Sequence, residues 1–150
     1  MGSTSTSKVL VVDDEAAIRA LVAKIIERAG YSVDTARDGA EAIEKLAVSN
    51  YSVMVLDLMM PNVDGYGLIR HLKERGGPRP AIIVVSAGDS AAFRQLDGAI
   101  VHSILRKPFD IDVLGDLVAA AAKSIEEESA GEQPAEGADV VPFRRSEPGS

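Results

Sequence analysis

The chain has 150 residues, a net charge of −7 and no cysteine. Its length fits one domain of ordinary size, and contents of 46% hydrophobic and 26% charged residues are typical of a folded globular protein. The lack of cysteine excludes disulfides, thiolate metal sites and cysteine nucleophiles.

Neither a membrane span nor a secretory signal is expected. The longest apolar runs are short, such as 53–56 and 81–85, whereas a membrane-spanning helix needs roughly 20 apolar residues. Residues 1–7 are rich in Gly, Ser and Thr and contain no hydrophobic stretch. We therefore expect a cytoplasmic protein without membrane insertion.

The negative charge is concentrated towards the C-terminus. Residues 124–150 contain seven acids and two arginines, whereas residues 1–123 contain 16 acids and 14 bases. Without a basic cluster to neutralise phosphates, we expect no direct nucleic-acid binding. The acidic, polar composition of 124–150 predicts a disordered tail. The expected organisation is a flexible N-terminus at 1–7, a folded domain at 8–123 and this tail.

The apolar pattern alternates between strands and helices along the chain. Short runs rich in β-branched residues predict buried strands, and apolar residues spaced three or four apart predict helices. Strands are predicted at 9–12, 31–35, 53–56, 81–85 and 101–105. Helices are predicted around 18–26, 38–47, 68–72, 90–96 and 114–121. Gly30 is expected to end the first helix, and Asp38 with Glu41 is a capping box for the second.

Five strands that are each followed by a helix predict an α/β fold. Parallel strands joined by right-handed crossovers place helices on both faces of the sheet. The expected architecture is a five-stranded parallel, doubly wound, flavodoxin-like three-layer sandwich. In such folds ligands bind at the carboxyl ends of the strands, where the strand order reverses.

Chemically reactive side chains follow four of the five predicted strands. Asp13 and Asp14 end the first strand, Asp57 the third, Ser86 the fourth and Lys107 the fifth. Two carboxylates ~4 Å apart repel by about 4 kcal/mol at an effective dielectric constant of ~20. A single lysine does not offset three carboxylates, so the pattern predicts a hard divalent cation such as Mg²⁺.

A metal beside a carboxylate indicates phosphoryl transfer. The metal and Lys107 would neutralise charge on the transferred group, and one carboxylate would act as nucleophile. Asp57 is the best nucleophile because it stands alone at the end of the middle strand. Asp13 and Asp14 are then the metal-holding pair, and Ser86 is a hydrogen-bond donor to the phosphoryl oxygens.

Each of these residues also has an ordinary alternative role. A single Asp or Ser after a strand is usually a helix cap or a turn residue, and a lone lysine before a proline is usually solvated. The functional interpretation depends on their joint occurrence at neighbouring strand ends.

Four motifs in this order resemble the receiver domain of two-component response regulators, over roughly residues 8–123. They are Val11-Val12-Asp13-Asp14-Glu15, Leu56-Asp57-Leu58-Met59-Met60-Pro61-Asn62-Val63-Asp64-Gly65, Val85-Ser86-Ala87 and Lys107-Pro108-Phe109. By this resemblance Asp57 is the phosphoacceptor, Ser86 the switch hydroxyl and Lys107 the phosphate partner.

The resemblance also implies a metal site and partners. Asp14 and Asp57 would bind Mg²⁺ directly, Asp13 would assist through water, and Met59 would supply a backbone carbonyl. A histidine kinase, a phosphotransfer protein or acetyl phosphate would donate the phosphoryl group, and a downstream protein target would read it. The domain would catalyse only its own phosphorylation and dephosphorylation. Relatives often have an aromatic residue where this chain has Ile104, so an aromatic switch is not expected.

Other functions remain open at this point. A phosphohydrolase that forms an aspartyl phosphate needs a second acid two residues after the nucleophile, where this chain has Met59. A flavin-binding protein needs a Gly/Ser/Thr-rich phosphate loop after the first strand, where this chain has Asp13-Asp14-Glu15. A scaffold that acts independently of phosphorylation, and a receiver fragment of a larger regulator, are the remaining alternatives.

Overall fold

The described part of the chain alternates between strands and helices, as the apolar pattern predicts. The computed structural model describes residues 8–58, 65–77, 79–86, 96 and 100–131. Its elements are β1 (Lys8–Val12), α1 (Ala16–Arg28), β2 (Ser32–Ala36), α2 (Gly39–Val48), β3 (Val53–Leu56), α3 (Gly65–Arg75), β4 (Ala81–Ser86), β5 (Val101–Arg106) and α4 (Ile111–Gly131). Apart from residue 96, the helix predicted at 90–96 lies outside the described residues.

The five strands form one parallel sheet in the order β2-β1-β3-β4-β5. From β1 the chain moves to β2 on one side, and then crosses to β3 on the other side. The strand order therefore reverses between β1 and β3, which is where such sheets bind ligands. The predicted fold class is confirmed.

Helices cover both faces of the sheet because successive residues of each buried strand point in opposite directions. Val9 and Val11 of β1 pack in a cluster with residues of α1 and α4, such as Val22 and Leu114. Leu10 and Val12 pack in the opposite cluster with α2 and α3 residues, among them Leu46, Leu68 and Leu72. Each fully buried aliphatic side chain contributes roughly 1.5–3 kcal/mol, so these two clusters hold the three layers together.

Two apolar side chains of the predicted helices are exposed, although their spacing of three or four residues from other apolar residues predicts that both are buried. Leu21 of α1 is 45% exposed, and with Ile111 it lines a groove between α1 and α4. Ala47 of α2 is also exposed, whereas Ala42 and Leu46 are buried. Periodicity identifies the apolar side of a helix, but neighbouring elements determine how far around the helix that side is covered.

Local signals at the ends of α1 and α2 agree with the sequence prediction. Gly30 follows α1 with a φ of 104°, a left-handed conformation that glycine adopts without strain. The Asp38 carboxylate accepts a hydrogen bond from the Glu41 N–H at 2.8 Å. The Glu41 carboxylate accepts from the N–H of Arg37, one residue before the cap, at 2.7 Å.

The last helix continues past the boundary predicted at residue 123. α4 extends to Gly131, and Ile125 packs against the core cluster on the α1 side of the sheet. Residues 124–131 include three glutamates and an alanine, which favour helix, so acidic composition does not mark the end of the helix here. Residues 132–150 lie outside the described part. Within the described residues no helix is long and apolar enough to cross a bilayer.

A polar network links the first residue of β1, the middle of β2 and the segment just before β3. The Tyr51 hydroxyl donates to Asp34 Oδ2 at 2.7 Å, and Lys8 Nζ lies 3.2 Å from the same oxygen. Burial of Tyr51 and its bond to the Asp34 carboxylate raise the pKa of Tyr51 to about 12.

Replacing Tyr51 with phenylalanine is expected to lower the free energy of unfolding by about 1 kcal/mol at pH 7, because one hydrogen bond is lost. In the wild type, the unfolded tyrosine ionises near pH 10 and the folded one near 12. The wild type therefore loses stability as the pH rises from 10 to 12. The Tyr51→Phe variant has no hydroxyl to ionise, so it lacks this part of the loss. Urea unfolding of both proteins between pH 10 and 12 measures this difference. Equal declines in their unfolding free energies would contradict the role given to the Tyr51–Asp34 hydrogen bond.

Candidate functional site

Backbone hydrogen bonds continue the sheet by one residue at the strands that carry the candidate site. The Asp57 N–H donates to the Val12 carbonyl at 3.0 Å, and the Lys107 N–H donates to the Ser86 carbonyl at 3.0 Å. The Asp13 N–H donates to the carbonyl at the end of β2 at 3.1 Å. The candidate side chains are therefore held by the rigid edge of the sheet.

Three carboxylates meet at this edge. One oxygen each from Asp13, Asp14 and Asp57 lies within 4.8 Å of the others. Asp13 and Asp57 are only 4% and 6% exposed, whereas Asp14 is exposed. Buried carboxylates are costly unless they are paired with a cation or hydrogen-bonded, so the two buried members need partners.

Lys107 is the cation that pairs with both buried carboxylates. Its Nζ lies 3.2 Å from Asp13 Oδ2 and 3.3 Å from Asp57 Oδ2. Partial burial by itself lowers the pKa of Lys107, but the negative charges of Asp57 and Asp13 outweigh it and raise that pKa above 10.5. Lys107 is therefore a fixed positive charge between the two acids at neutral pH.

Asp13 and Asp14 differ in how many of their carboxylate oxygens already have a partner. Asp13 Oδ1 accepts a hydrogen bond from the Glu15 N–H at 2.9 Å, and Asp13 Oδ2 faces Lys107. Asp14 is exposed and makes no hydrogen bond or ion pair among the described residues, so its oxygens are open to a cation or to solvent. This geometry fits Asp14 as a direct ligand and Asp13 as a ligand through water.

Three more residues that the sequence singles out are Ser86, Met59 and Ile104. Ser86 is fully buried at the end of β4, next to β3, which carries Asp57. Met59, the predicted backbone ligand, lies outside the described residues. Ile104, at the position where relatives often have an aromatic residue, is 42% exposed on β5. The functional roles of these residues stay predictions.

Two further residues at this edge were not predicted. Glu15 Oε1 lies 3.8 Å from Lys107 Nζ. Arg19 donates from Nη1 to the backbone carbonyl of Asp13 at 2.8 Å. The sequence carries one signal for this pair. Arg19 stands four residues after Glu15, the residue that precedes α1, and side chains at this spacing are neighbours on a helix.

The composition of the edge fits a divalent cation. The three clustered carboxylates, those of Asp13, Asp14 and Asp57, are paired with one cationic side chain, that of Lys107. The surplus of two negative charges equals the charge of Mg²⁺, and all candidate ligand atoms are oxygens, which hard cations prefer. The residues present therefore fit a site for a hard divalent cation.

Replacing Asp14 with asparagine is expected to separate metal binding from folding. Without Mg²⁺ the variant should unfold at a slightly higher temperature than the wild type, because one repelling charge is removed. Added Mg²⁺ should stabilise the wild type, by about 1.4 kcal/mol for each tenfold excess over its Kd, and should stabilise the variant little. Thermal unfolding with and without Mg²⁺ measures both effects. Asp116→Asn, an exposed acid on α4, is the control and should behave like the wild type.

Comparisons with known proteins agree with this geometry. The model for "Response regulator receiver domain" matches residues 9–119. The transcriptional regulatory protein ResD of Bacillus subtilis is 40% identical over 109 residues, which cover 73% of this chain and 45% of ResD. Response regulator MprA of Mycobacterium tuberculosis is 36% identical over 127 residues, which cover 83% of this chain and 54% of MprA. The chain thus spans about half the length of the curated relatives it matches.

Solved structures give the same result. The Francisella response regulator 1452 receiver domain has a TM-score of 0.72 and 34% identity, covering 79% of this chain and 98% of that one. Response regulator protein TrrA of Thermotoga maritima, solved in complex with Mg²⁺-BeF, has a TM-score of 0.69 and 30% identity, covering 77% of this chain and 99% of that one. The chain belongs to the response regulator receiver domain family.

Proposed function

We propose that this chain accepts a phosphoryl group on Asp57 from a histidine kinase or a phosphotransfer protein. The phosphorylated form then signals by binding a downstream protein target. The observation that carries the proposal is the position of Lys107, whose Nζ bridges Asp13 and Asp57 inside a cluster of three carboxylates.

In the transfer step, a carboxylate oxygen of Asp57 attacks the phosphorus atom of the donor. A new P–O bond forms while the P–N bond of a phosphohistidine, or the P–O bond of acetyl phosphate, breaks. The leaving group takes the bonding electrons, and a leaving imidazole nitrogen takes a proton from solvent. Lys107 is placed to hold an oxygen of the transferred group, because its Nζ is already within 3.3 Å of Asp57.

Mg²⁺ bound by Asp14 and Asp57, with Asp13 through water and the Met59 carbonyl, would neutralise charge on the phosphoryl oxygens. The binding of Mg²⁺-BeF by the relative TrrA supports this choice of metal.

Phosphorylation would change the interactions at this edge. The phosphoryl group adds negative charge and acceptor oxygens at residue 57. Lys107 and the Ser86 hydroxyl would then bind these oxygens, and charge-assisted hydrogen bonds contribute roughly 1.5–3 kcal/mol each. Near-complete switching between two states needs about 5.5 kcal/mol, so two such bonds supply most of it.

The chemistry of the domain is confined, in this proposal, to its own phosphorylation and dephosphorylation. The absence of direct nucleic-acid binding stays a prediction from charge, since a named relative is a transcriptional regulatory protein. The cytoplasmic location also stays a prediction.

The proposal is tested by incubating the protein with acetyl phosphate and Mg²⁺ and measuring its intact mass. The wild type is expected to gain the mass of one phosphoryl group, and Asp57→Asn and a chelator-treated sample to gain none. Asp116→Asn, which changes an acid outside the cluster, should be phosphorylated like the wild type. An unchanged wild-type mass would refute the proposal. Equal partner binding by wild type and Asp57→Asn would favour the phosphorylation-independent scaffold.

A further inference from the structure

The guanidinium of Arg19 is bound to the backbone of the acidic loop. Arg19 lies in the first turns of α1 and donates from Nη1 to the carbonyl oxygen of Asp13 at 2.8 Å. This carbonyl belongs to the peptide that joins Asp13 to Asp14. The arginine thus holds the peptide group between the two predicted metal-binding acids, and touches neither carboxylate in any described contact.

Among the described residues, Arg19 is the side chain that binds the carbonyl of the Asp13–Asp14 peptide. The Asp13 N–H donates to the carbonyl of Ala36, at the end of β2, at 3.1 Å. The Asp13 carboxylate accepts hydrogen bonds from the Glu15 N–H and from Lys107 Nζ. These contacts fix Asp13, and the bond from the Glu15 N–H to Asp13 Oδ1 also spans the Asp13–Asp14 peptide. Arg19 adds a bond to the carbonyl of that peptide itself, so it helps to set the orientation of the peptide and hence of the Asp14 side chain.

From this geometry we propose that Arg19 is a positioning residue for metal binding. By holding the Asp13 carbonyl, it orients Asp14 so that the Asp14 carboxylate faces Asp13 and Asp57 across the cluster. This inference rests on the proposed function, because it takes the cluster to be a Mg²⁺ site. Groups that orient metal ligands without touching the metal typically affect metal affinity 10–100-fold.

Positioning and simple electrostatics predict opposite signs for the same substitution. Arg19 is a cation close to the site, so removing its charge would by itself strengthen the binding of Mg²⁺. If its main role is to orient Asp14, removing its hydrogen bond instead weakens the binding of Mg²⁺. The sign of the change in Kd therefore decides between the two roles.

The test compares Mg²⁺ binding by isothermal titration calorimetry in the wild type, Arg19→Met and Arg19→Lys. Methionine keeps much of the apolar stem but has no donor, so we expect its Kd for Mg²⁺ to rise about tenfold. Lysine keeps a charged donor and should recover most of the affinity. Arg28→Met, on the exposed last turn of the same helix, is the matched control and should bind Mg²⁺ like the wild type.

Thermal unfolding separates positioning from a general loss of structure. Without Mg²⁺, Arg19→Met should unfold close to the wild-type temperature, and the difference should widen when Mg²⁺ is added. Unchanged or tighter binding by Arg19→Met would overturn the inference and leave the proposed function standing. No binding by the wild type would overturn the proposed function itself. If the methionine variant does not fold, Arg19→Gln takes its place, with weaker binding expected and tighter binding contradicting the role.

Discussion

Replacing Lys107 with methionine is expected to slow phosphorylation by acetyl phosphate about 10- to 100-fold and to abolish the response of the downstream partner. The rate effect follows from the loss of one charge-assisted hydrogen bond to the transferred group, worth roughly 1.5–3 kcal/mol. Phosphorylation should remain detectable, because Lys107 is neither the nucleophile nor a metal ligand in this account. The phosphorylation rate is measured by intact mass and the response by partner binding.

The same substitution should also change stability. Asp13 and Asp57, which are only 4% and 6% exposed in the wild type, would lose their shared cation, and breaking a buried ion pair typically costs 3–5 kcal/mol. We expect a loss of about 2 kcal/mol, below that range, because Lys107 is partly exposed and solvent screens its charge. Added Mg²⁺ should recover part of the loss by supplying positive charge to the same carboxylates.

The stability effect has a defined pH dependence. The pKa of Lys107 is raised in the folded state, so its contribution is fully present below 10.5 and is lost as the pH rises through the raised value. The difference in unfolding free energy between wild type and Lys107→Met should therefore be constant at neutral pH and shrink above 10.5. Lys123→Met, an exposed lysine on α4, should show neither effect; an equal loss in both variants would refute the role of Lys107.

Replacing Gly65 with alanine is expected to damage both folding and phosphorylation. The Gly65 N–H donates to the Leu58 carbonyl at 3.0 Å, which joins the start of α3 to the residue after the predicted phosphoacceptor. A Cβ at residue 65 would lie 2.5 Å from the Leu58 Cα and 2.9 Å from the Asp57 carbonyl oxygen. Both contacts are with backbone, so the Asp57–Leu58 segment at the end of β3, or the start of α3, must shift.

We expect Gly65→Ala to lower the free energy of unfolding by about 1–3 kcal/mol, the usual cost of overpacking. Phosphorylation should slow as well, because a shift of the backbone at Asp57–Leu58 would change the distance between Asp57 and Lys107. Gly115→Ala is the matched control: a Cβ there meets nothing within 4 Å, and alanine in a helix interior stabilises by roughly 0.5–1 kcal/mol relative to glycine. Urea unfolding and intact-mass kinetics measure both variants. If Gly65→Ala had the same unfolding free energy as the wild type, the prediction that its Cβ overpacks against the Asp57–Leu58 backbone would be contradicted.

The parts of the fold that follow from strong local patterns could be predicted from the sequence. The strand at 53–56 has the bounds that its apolar run indicates, because a strand buried on both faces admits few polar residues. The meeting of Asp13, Asp57 and Lys107 follows in turn, because parallel strands in this order bring their carboxyl ends to one edge.

Features that depend on tertiary placement could not be predicted. The exposure of Leu21 depends on how far α4 covers α1, and helical periodicity alone does not give that angle. The bond from Arg19 to the Asp13 carbonyl depends on the path of the loop after β1 and on the rotamer of a long side chain. The end of α4 at Gly131 depends on packing at Ile125 as well as on composition.

The claim that Asp57 carries the phosphoryl group is tested most directly by reductive trapping. Borohydride reduces an acyl phosphate to an alcohol, so a phosphorylated aspartate becomes homoserine, which peptide sequencing by mass spectrometry identifies by position. After treatment with acetyl phosphate and Mg²⁺, we predict homoserine at residue 57 and unmodified aspartate at residues 13, 14 and 64. Homoserine at another aspartate, or at none, would contradict the account.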